Sequence, residues 1–164
     1  MQSFNMLQAK ASLSRLNIKQ FNSPSSLRLW CWGMVLRLAL LAGYPVVLIG
    51  ACRTGKTLLL KKLTPGKVID KREEAMRGEP PVITGDVPNG IFSVDDCQLI
   101  GPNSIWQLVS TRAAQNHPFC LATQRYRDVK DAVDAYRSSK NAKRVFLVVV
   151  GGEANPAAVL GELP

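Results

Sequence analysis

Val46-Val47-Leu48-Ile49-Gly50-Ala51-Cys52-Arg53-Thr54-Gly55-Lys56-Thr57-Leu58-Leu59-Leu60 is the stretch on which the reading of this chain turns. Val46 to Ile49 is a β-branched and apolar run without polar alternation. Such a run predicts a strand buried on both faces, as in a parallel sheet covered by helices. Gly50 to Thr57 then completes the pattern G-x-x-x-x-G-K-[ST]. The glycines let the backbone curl and turn successive N–H groups toward an anion. Lys56 stands where a side chain reaches the β- and γ-phosphates of a nucleotide, and the Thr57 hydroxyl is suited to Mg²⁺. Lys56–Leu63 reads as a helix, whose N-terminal dipole favours a phosphate. The candidate nucleotide-binding residues are Gly50, Ala51, Cys52, Arg53, Thr54, Gly55, Lys56, Thr57 and Leu58.

Downstream, strand and helix patterns alternate. Pro65-Gly66 closes the helix, and Lys67–Asp70 reads as the next strand. Residues 71–90 are rich in proline and glycine and read as loop. Ile91–Val94 is a strand, and Ser104–Gln115 is a helix with Ile105, Leu108, Val109 and Ala113 on one face. Phe119–Thr123 is a strand. Asp128–Ser138 is a helix striped by Val129, Ala132, Val133 and Tyr136, and Arg144–Val150 is a strand. This order predicts an α/β fold of three layers around a parallel central sheet of about five strands. The domain spans 27–150, and 151–164 form a tail.

Two further places carry chemistry. Ile91-Phe92-Ser93-Val94-Asp95-Asp96 is an apolar strand ending in acids, the second element that a phosphate-binding loop requires. Asp95 would hold Mg²⁺ through water. Asp96 stands where a carboxylate can orient the attacking water. Aspartate is one methylene shorter than glutamate, and a displacement of about 1 Å can slow a reaction ~10²-fold. Slow hydrolysis is therefore expected. Gln124 follows the strand Phe119–Thr123, at the edge where polar side chains enter a ligand crevice. Its amide can reach the γ-phosphate or its water.

Upstream of the loop the sequence is less informative. Residues 27–50 are apolar, but Pro45 divides them, and Leu29–Ala42 contains Arg37 and falls short of the ~20 residues of a spanning helix. Residues 27–42 are read as a helix, packed on the core or lying monotopically at a membrane or partner surface, with the core helix favoured. Residues 1–26 read as a disordered or basic arm. Their acid-free, Ser-containing composition also suits a transit peptide, and Met34 is an alternative start.

The chain has 164 residues and a net charge of +9. The charge is uneven, since residues 1–69 hold ten basic residues and the first acid is Asp70. This excludes an acidic solvating protein and points to an anionic partner, such as DNA at the basic N-terminal half. Hydrophobic residues at 46% exclude a disordered chain. Cys31, Cys52, Cys97 and Cys120 show no C-x-x-C spacing, so neither zinc nor a disulfide framework is signalled. Their apolar settings fit a reducing, cytoplasmic compartment. His117 is the sole histidine, which excludes a His-pair metal site.

Four pieces together resemble the HerA–FtsK group of P-loop ATPases, which includes conjugative coupling proteins and filamentous-phage assembly ATPases. They are the Gly50–Thr57 loop, the strand Val68-Ile69-Asp70-Lys71-Arg72-Glu73, the strand end Val94-Asp95-Asp96, and Ser110-Thr111-Arg112 leading to Leu121-Ala122-Thr123-Gln124. The resemblance covers roughly 46–150. It implies ATP as the nucleotide, Gln124 as a sensor of the γ-phosphate, and Arg112 acting on the nucleotide of a neighbouring subunit in a homo-oligomer. The chain departs from the group in having Asp96 where glutamate is usual, and in having a short connection from Asp70 to Asp95. Asp95-Asp96 followed by Cys97-Gln98-Leu99-Ile100 is also similar to replication-initiator ATPases of the AAA+ class, but the residues after Val150 are too few for their lid domain.

The expected activity is Mg²⁺-dependent binding and slow hydrolysis of ATP in DNA handling or a plasmid or phage transfer system. The expected catalytic residues are Lys56, Asp96, Gln124 and Arg112, and the metal residues Thr57 and Asp95. One alternative is a nucleotide-gated switch for DNA or a partner. Another is a small-molecule kinase, with Arg125 and Arg127 on the transferred phosphate. No spanning membrane helix is expected; peripheral membrane contact is the variant reading.

Overall fold

The computed structural model describes residues 17–21, 26–78, 83 and 90–150. In chain order they form β1 (Asn17–Phe21), α1 (Ser26–Leu41), β2 (Val46–Ile49), α2 (Lys56–Leu63), β3 (Val68–Ile69), α3 (Arg72–Met76), β4 (Phe92–Val94), α4 (Pro102–Ala114), β5 (Phe119–Thr123), α5 (Lys130–Arg137) and β6 (Phe146–Val150). Short 3₁₀ turns occupy Cys97–Leu99 and Tyr126–Asp128.

The strands make one six-stranded sheet in the order β1-β6-β2-β5-β4-β3, and every pairing is parallel. Five of the six lie within 46–150, where the alternating pattern predicts them. The sixth, β1, pairs alongside β6 from Asn17 opposite Phe146 to Phe21 opposite Val150. Part of the segment read as an arm is thus an edge strand. The tail 151–164 and the rest of 1–25 lie outside the described residues.

β2 is the centre of the molecule, and all four of its residues are buried. Because successive side chains alternate across a strand, its two faces feed two cores. Val47 and Ile49 pack with Ile105 and Val109 of α4 and Val133 of α5. Val46 and Leu48 pack with Leu36 and Leu40 of α1 and Leu59, Leu60 and Leu63 of α2. The result is the expected three layers. The helix reading of 27–42 is half right as a core element: α1 buries one side and leaves Met34, Val35, Leu38 and Leu41 exposed. Among the described residues no helix is long and apolar enough to cross a membrane. Within 71–90, read as loop, Arg72–Met76 is a short helix with no buried residue.

Candidate functional site

Parallel pairing brings the C-terminal ends of β2, β5, β4 and β3 to one edge of the sheet. Ile49 is in register with Thr123, Val94 with Leu121 and Ile69 with Val94. The residues that follow those ends therefore converge: Gly50 after β2, Gln124 after β5, Asp95 after β4 and Asp70 after β3. The Gly50 N–H donates to the Thr123 carbonyl at 3.2 Å, and the Asp95 N–H to the Ile69 carbonyl at 2.9 Å. This edge is the crevice in which parallel α/β proteins hold ligands.

The loop has the backbone its glycines suggest. Gly55 sits at φ +92°, where a side chain would be strained. Gly50 is required for a different reason: a Cβ there would stand 2.2 Å from the Val150 carbonyl oxygen. Arg53 also adopts a left-handed φ, of 63°. Lys56, buried at the start of α2, folds back into the loop and donates to the carbonyls of Gly50 at 2.7 Å and Ala51 at 2.8 Å. Burial holds its ammonium below the ordinary lysine value, against the opposing pull of Asp96, Cys52 and Asp95. An arriving anion would replace the two carbonyls as partner of this charge. Thr54 closes the loop with a hydrogen bond to the Ala51 carbonyl at 2.9 Å.

Thr57 faces the acid pair. Its hydroxyl donates to Asp95 Oδ2 at 2.6 Å, although 38 positions separate the two residues. Asp95 is only 1% exposed, and its other oxygen accepts the Asp96 N–H at 3.0 Å. A hydroxyl and a buried carboxylate side by side are hard oxygen donors of the kind Mg²⁺ takes, usually two from protein and the rest from phosphate and water. No group of three or more His, Cys, Asp or Glu among the described residues is placed to hold a metal. Thr57 and Asp95 therefore fit Mg²⁺ that arrives with a nucleotide.

Gln124 lies between loop and acids because β5 lies between β2 and β4. Its side-chain amide reaches Cys52 Sγ in the loop at 3.1 Å. Its backbone N–H donates to Gln98 Oε1 at 3.3 Å, while Gln98 Nε2 donates to Asp96 Oδ1 at 3.0 Å. Gln98 is thus a strut between the strand-end glutamine and the second acid. Asp96 itself is held at φ 47°, an uncommon conformation for a non-glycine residue that aims its carboxylate along this edge.

Two residues of the site escape a reading of the sequence as isolated motifs. Gln98 is one, and Arg72 is the other. The Arg72 guanidinium is bidentate to Asp70, with Nε 2.9 and 3.0 Å from its two oxygens, and Nη2 also contacts Oδ2. It lies 3.9 Å from Asp95 and 3.7 Å from Asp96. This hydrogen bonding holds the Asp70 carboxyl below its ordinary range and keeps Arg72 protonated. A basic residue two positions after a strand-ending aspartate is the signal that could have marked it.

Arg112 is not brought to this edge. It lies near the C-terminus of α4, which runs back to the start of β4 and β5, and its guanidinium sits 5.3 Å from the Phe92 ring centroid. At 6% exposed, it is enclosed by its own chain, and its side chain caps the core in a cation–π contact. Arg125 and Arg127 are both exposed beyond β5, and Arg127 lies 3.8 Å from Asp128.

No protein-family model matches this chain, and no curated protein is significantly similar to it. Its functional reading therefore rests on its own residues.

Proposed function

We propose that this chain is a P-loop NTPase that binds ATP with Mg²⁺ and hydrolyses it slowly, working in DNA handling or a plasmid or phage transfer system. The observation that carries the reading is the hydrogen bond from Thr57 to Asp95. It joins the last residue of the glycine loop to the strand-end acid, the two protein groups that hold Mg²⁺ in such enzymes. Bound there, Mg²⁺ would neutralise charge building on the phosphates. The chain's own residues do the rest. Backbone N–H groups of Gly50–Thr57 and the Lys56 ammonium bind the phosphate oxygens. Gln124 and Asp96 orient water, and Arg72 holds Asp70 and stands beside Asp95 and Asp96.

A second reading draws on Asp96. Its short carboxylate is tied to Gln98 and lies near Arg72, so it is restrained as a water-orienting group. This favours a nucleotide-gated switch in which binding matters more than turnover. Phosphate release, measured with and without single-stranded DNA, separates the two. Stimulation by DNA that vanishes in Lys56→Ala supports the ATPase. Nucleotide-dependent DNA affinity without turnover supports the switch. Nucleotide bound by neither wild type nor variant contradicts both.

A further inference from the structure

From Gly33 to Leu41, α1 is mostly apolar, yet only one side of it is covered. Leu36 and Leu40 are buried against the sheet, while Met34, Val35, Leu38 and Leu41 are 47%, 52%, 61% and 65% exposed. Positions 34, 38 and 41 follow helical spacing and form a stripe, with Val35 beside it. A contiguous aliphatic surface of this kind marks an interaction site.

The charge beside the stripe comes from Arg37 and Lys62, while Lys61 projects from the far side of α2 toward Asp70. Arg37 is exposed on the same helix, and α2, packed beside α1, exposes Lys61 and Lys62. Neither helix contains an acid. A nucleic acid would use the cations but gain nothing from four aliphatic side chains. A second copy docked face to face would set these cations against their own equivalents. An anionic lipid surface uses both features at once: the acyl boundary takes the aliphatic stripe and the headgroups take the cations. α1 is not long enough to cross a bilayer, so it would lie in the plane of the surface.

We infer that the outer face of α1, flanked by Arg37 and Lys62, seats this protein on an anionic lipid bilayer. Leu38 and Leu41 enter the acyl boundary, and the two cations contact headgroup phosphates. The crevice lies at the C-terminal ends of the strands, whereas Leu41 precedes the N-terminal end of β2.

The test is co-sedimentation of the full chain with phosphatidylcholine vesicles, with and without about a quarter of phosphatidylglycerol. Binding to the anionic vesicles should be about tenfold tighter and should weaken as salt rises from about 0.1 M to about 0.5 M. Leu38→Glu combined with Leu41→Glu should lower it about tenfold or more, with the melting temperature recorded to establish folding. Should that variant not fold, the exposed pair Arg37→Gln and Lys62→Gln serves instead and should erase the preference for anionic lipid. Absence of binding to anionic vesicles overturns the inference, as does binding untouched by these substitutions in a folded variant. A dimer, or a DNA complex, that the leucine substitutions abolish in place of vesicle binding also overturns it. Nucleotide binding is read separately, so failure here and failure of the ATPase reading are distinguishable.

Discussion

The Thr57 hydroxyl donates to the Asp95 carboxylate at 2.6 Å, joining the start of α2 to the end of β4 across the whole of β5. Asp95 is buried, so few groups meet its carboxylate. Thr57→Ala should destabilise the fold by about 1–3 kcal/mol by leaving a buried acceptor with one partner fewer. It should also raise the Mg²⁺ concentration needed for nucleotide binding. Thr57→Ser should restore both. Chemical denaturation and metal titration in the presence of ATP check the pair.

Gly50 is fixed by a steric limit, and Gly55 by a conformational one. Gly50→Ala would drive a methyl into the Val150 carbonyl, so β2 and β6 must separate, at a cost of about 1–3 kcal/mol. Gly55→Ala meets nothing in space, but its φ of +92° should cost about 1–2 kcal/mol. Urea midpoints should therefore fall for both variants. Only Gly50→Ala should also accelerate amide exchange at the β2–β6 pairing, which hydrogen exchange would resolve.

Arg72 makes acid stability testable. The Asp70 carboxyl is held below its ordinary value of 3.8 by Arg72. A lowered carboxylate pKa stabilises the folded state fully above that value, and the contribution fades as pH falls through the lowered one. Arg72→Gln removes this contribution. The variant should melt below wild type at neutral pH, and the gap should close as pH falls below about 4. A gap that stays constant down to the acid limit would contradict the assignment.

Cys52 reports on the loop. It is exposed within Gly50–Thr57, whereas Cys97 and Cys120 are buried. Burial also pushes both buried thiols well above the ordinary range, so they lack thiolate. Iodoacetamide should modify Cys52 in the native protein and spare Cys97 and Cys120, as read by peptide mass. Mg²⁺–ATP should slow modification of Cys52 about tenfold by covering the loop, at a Cys52 labelled freely in Lys56→Ala.

Much of the fold was legible because local signals agree with it. Val46–Ile49, the loop and Lys56–Leu63 are encoded in consecutive residues, and Gln124 could be placed from its position after an apolar strand. β1 was not legible: Asn17-Ile18-Lys19-Gln20-Phe21 has a weak pattern, and only pairing with the distant β6 makes it a strand. Arg72 joins the acids because β3 lies next to β4, and Gln98 braces Asp96 because a 3₁₀ turn aims it at β5. Both depend on strand order, which no local pattern contains. The packing of Arg112 over Phe92 is likewise a contact between distant residues that the sequence alone does not show.

Calorimetric titration of the purified chain with ATP, run with and without Mg²⁺ and repeated on Lys56→Ala, tests the central claim most directly. Saturable Mg²⁺-dependent binding by wild type, weakened by about one to two orders of magnitude in the variant, is the predicted result. A folded wild-type protein with no affinity for ATP or any other nucleoside triphosphate in the presence of Mg²⁺ would contradict it.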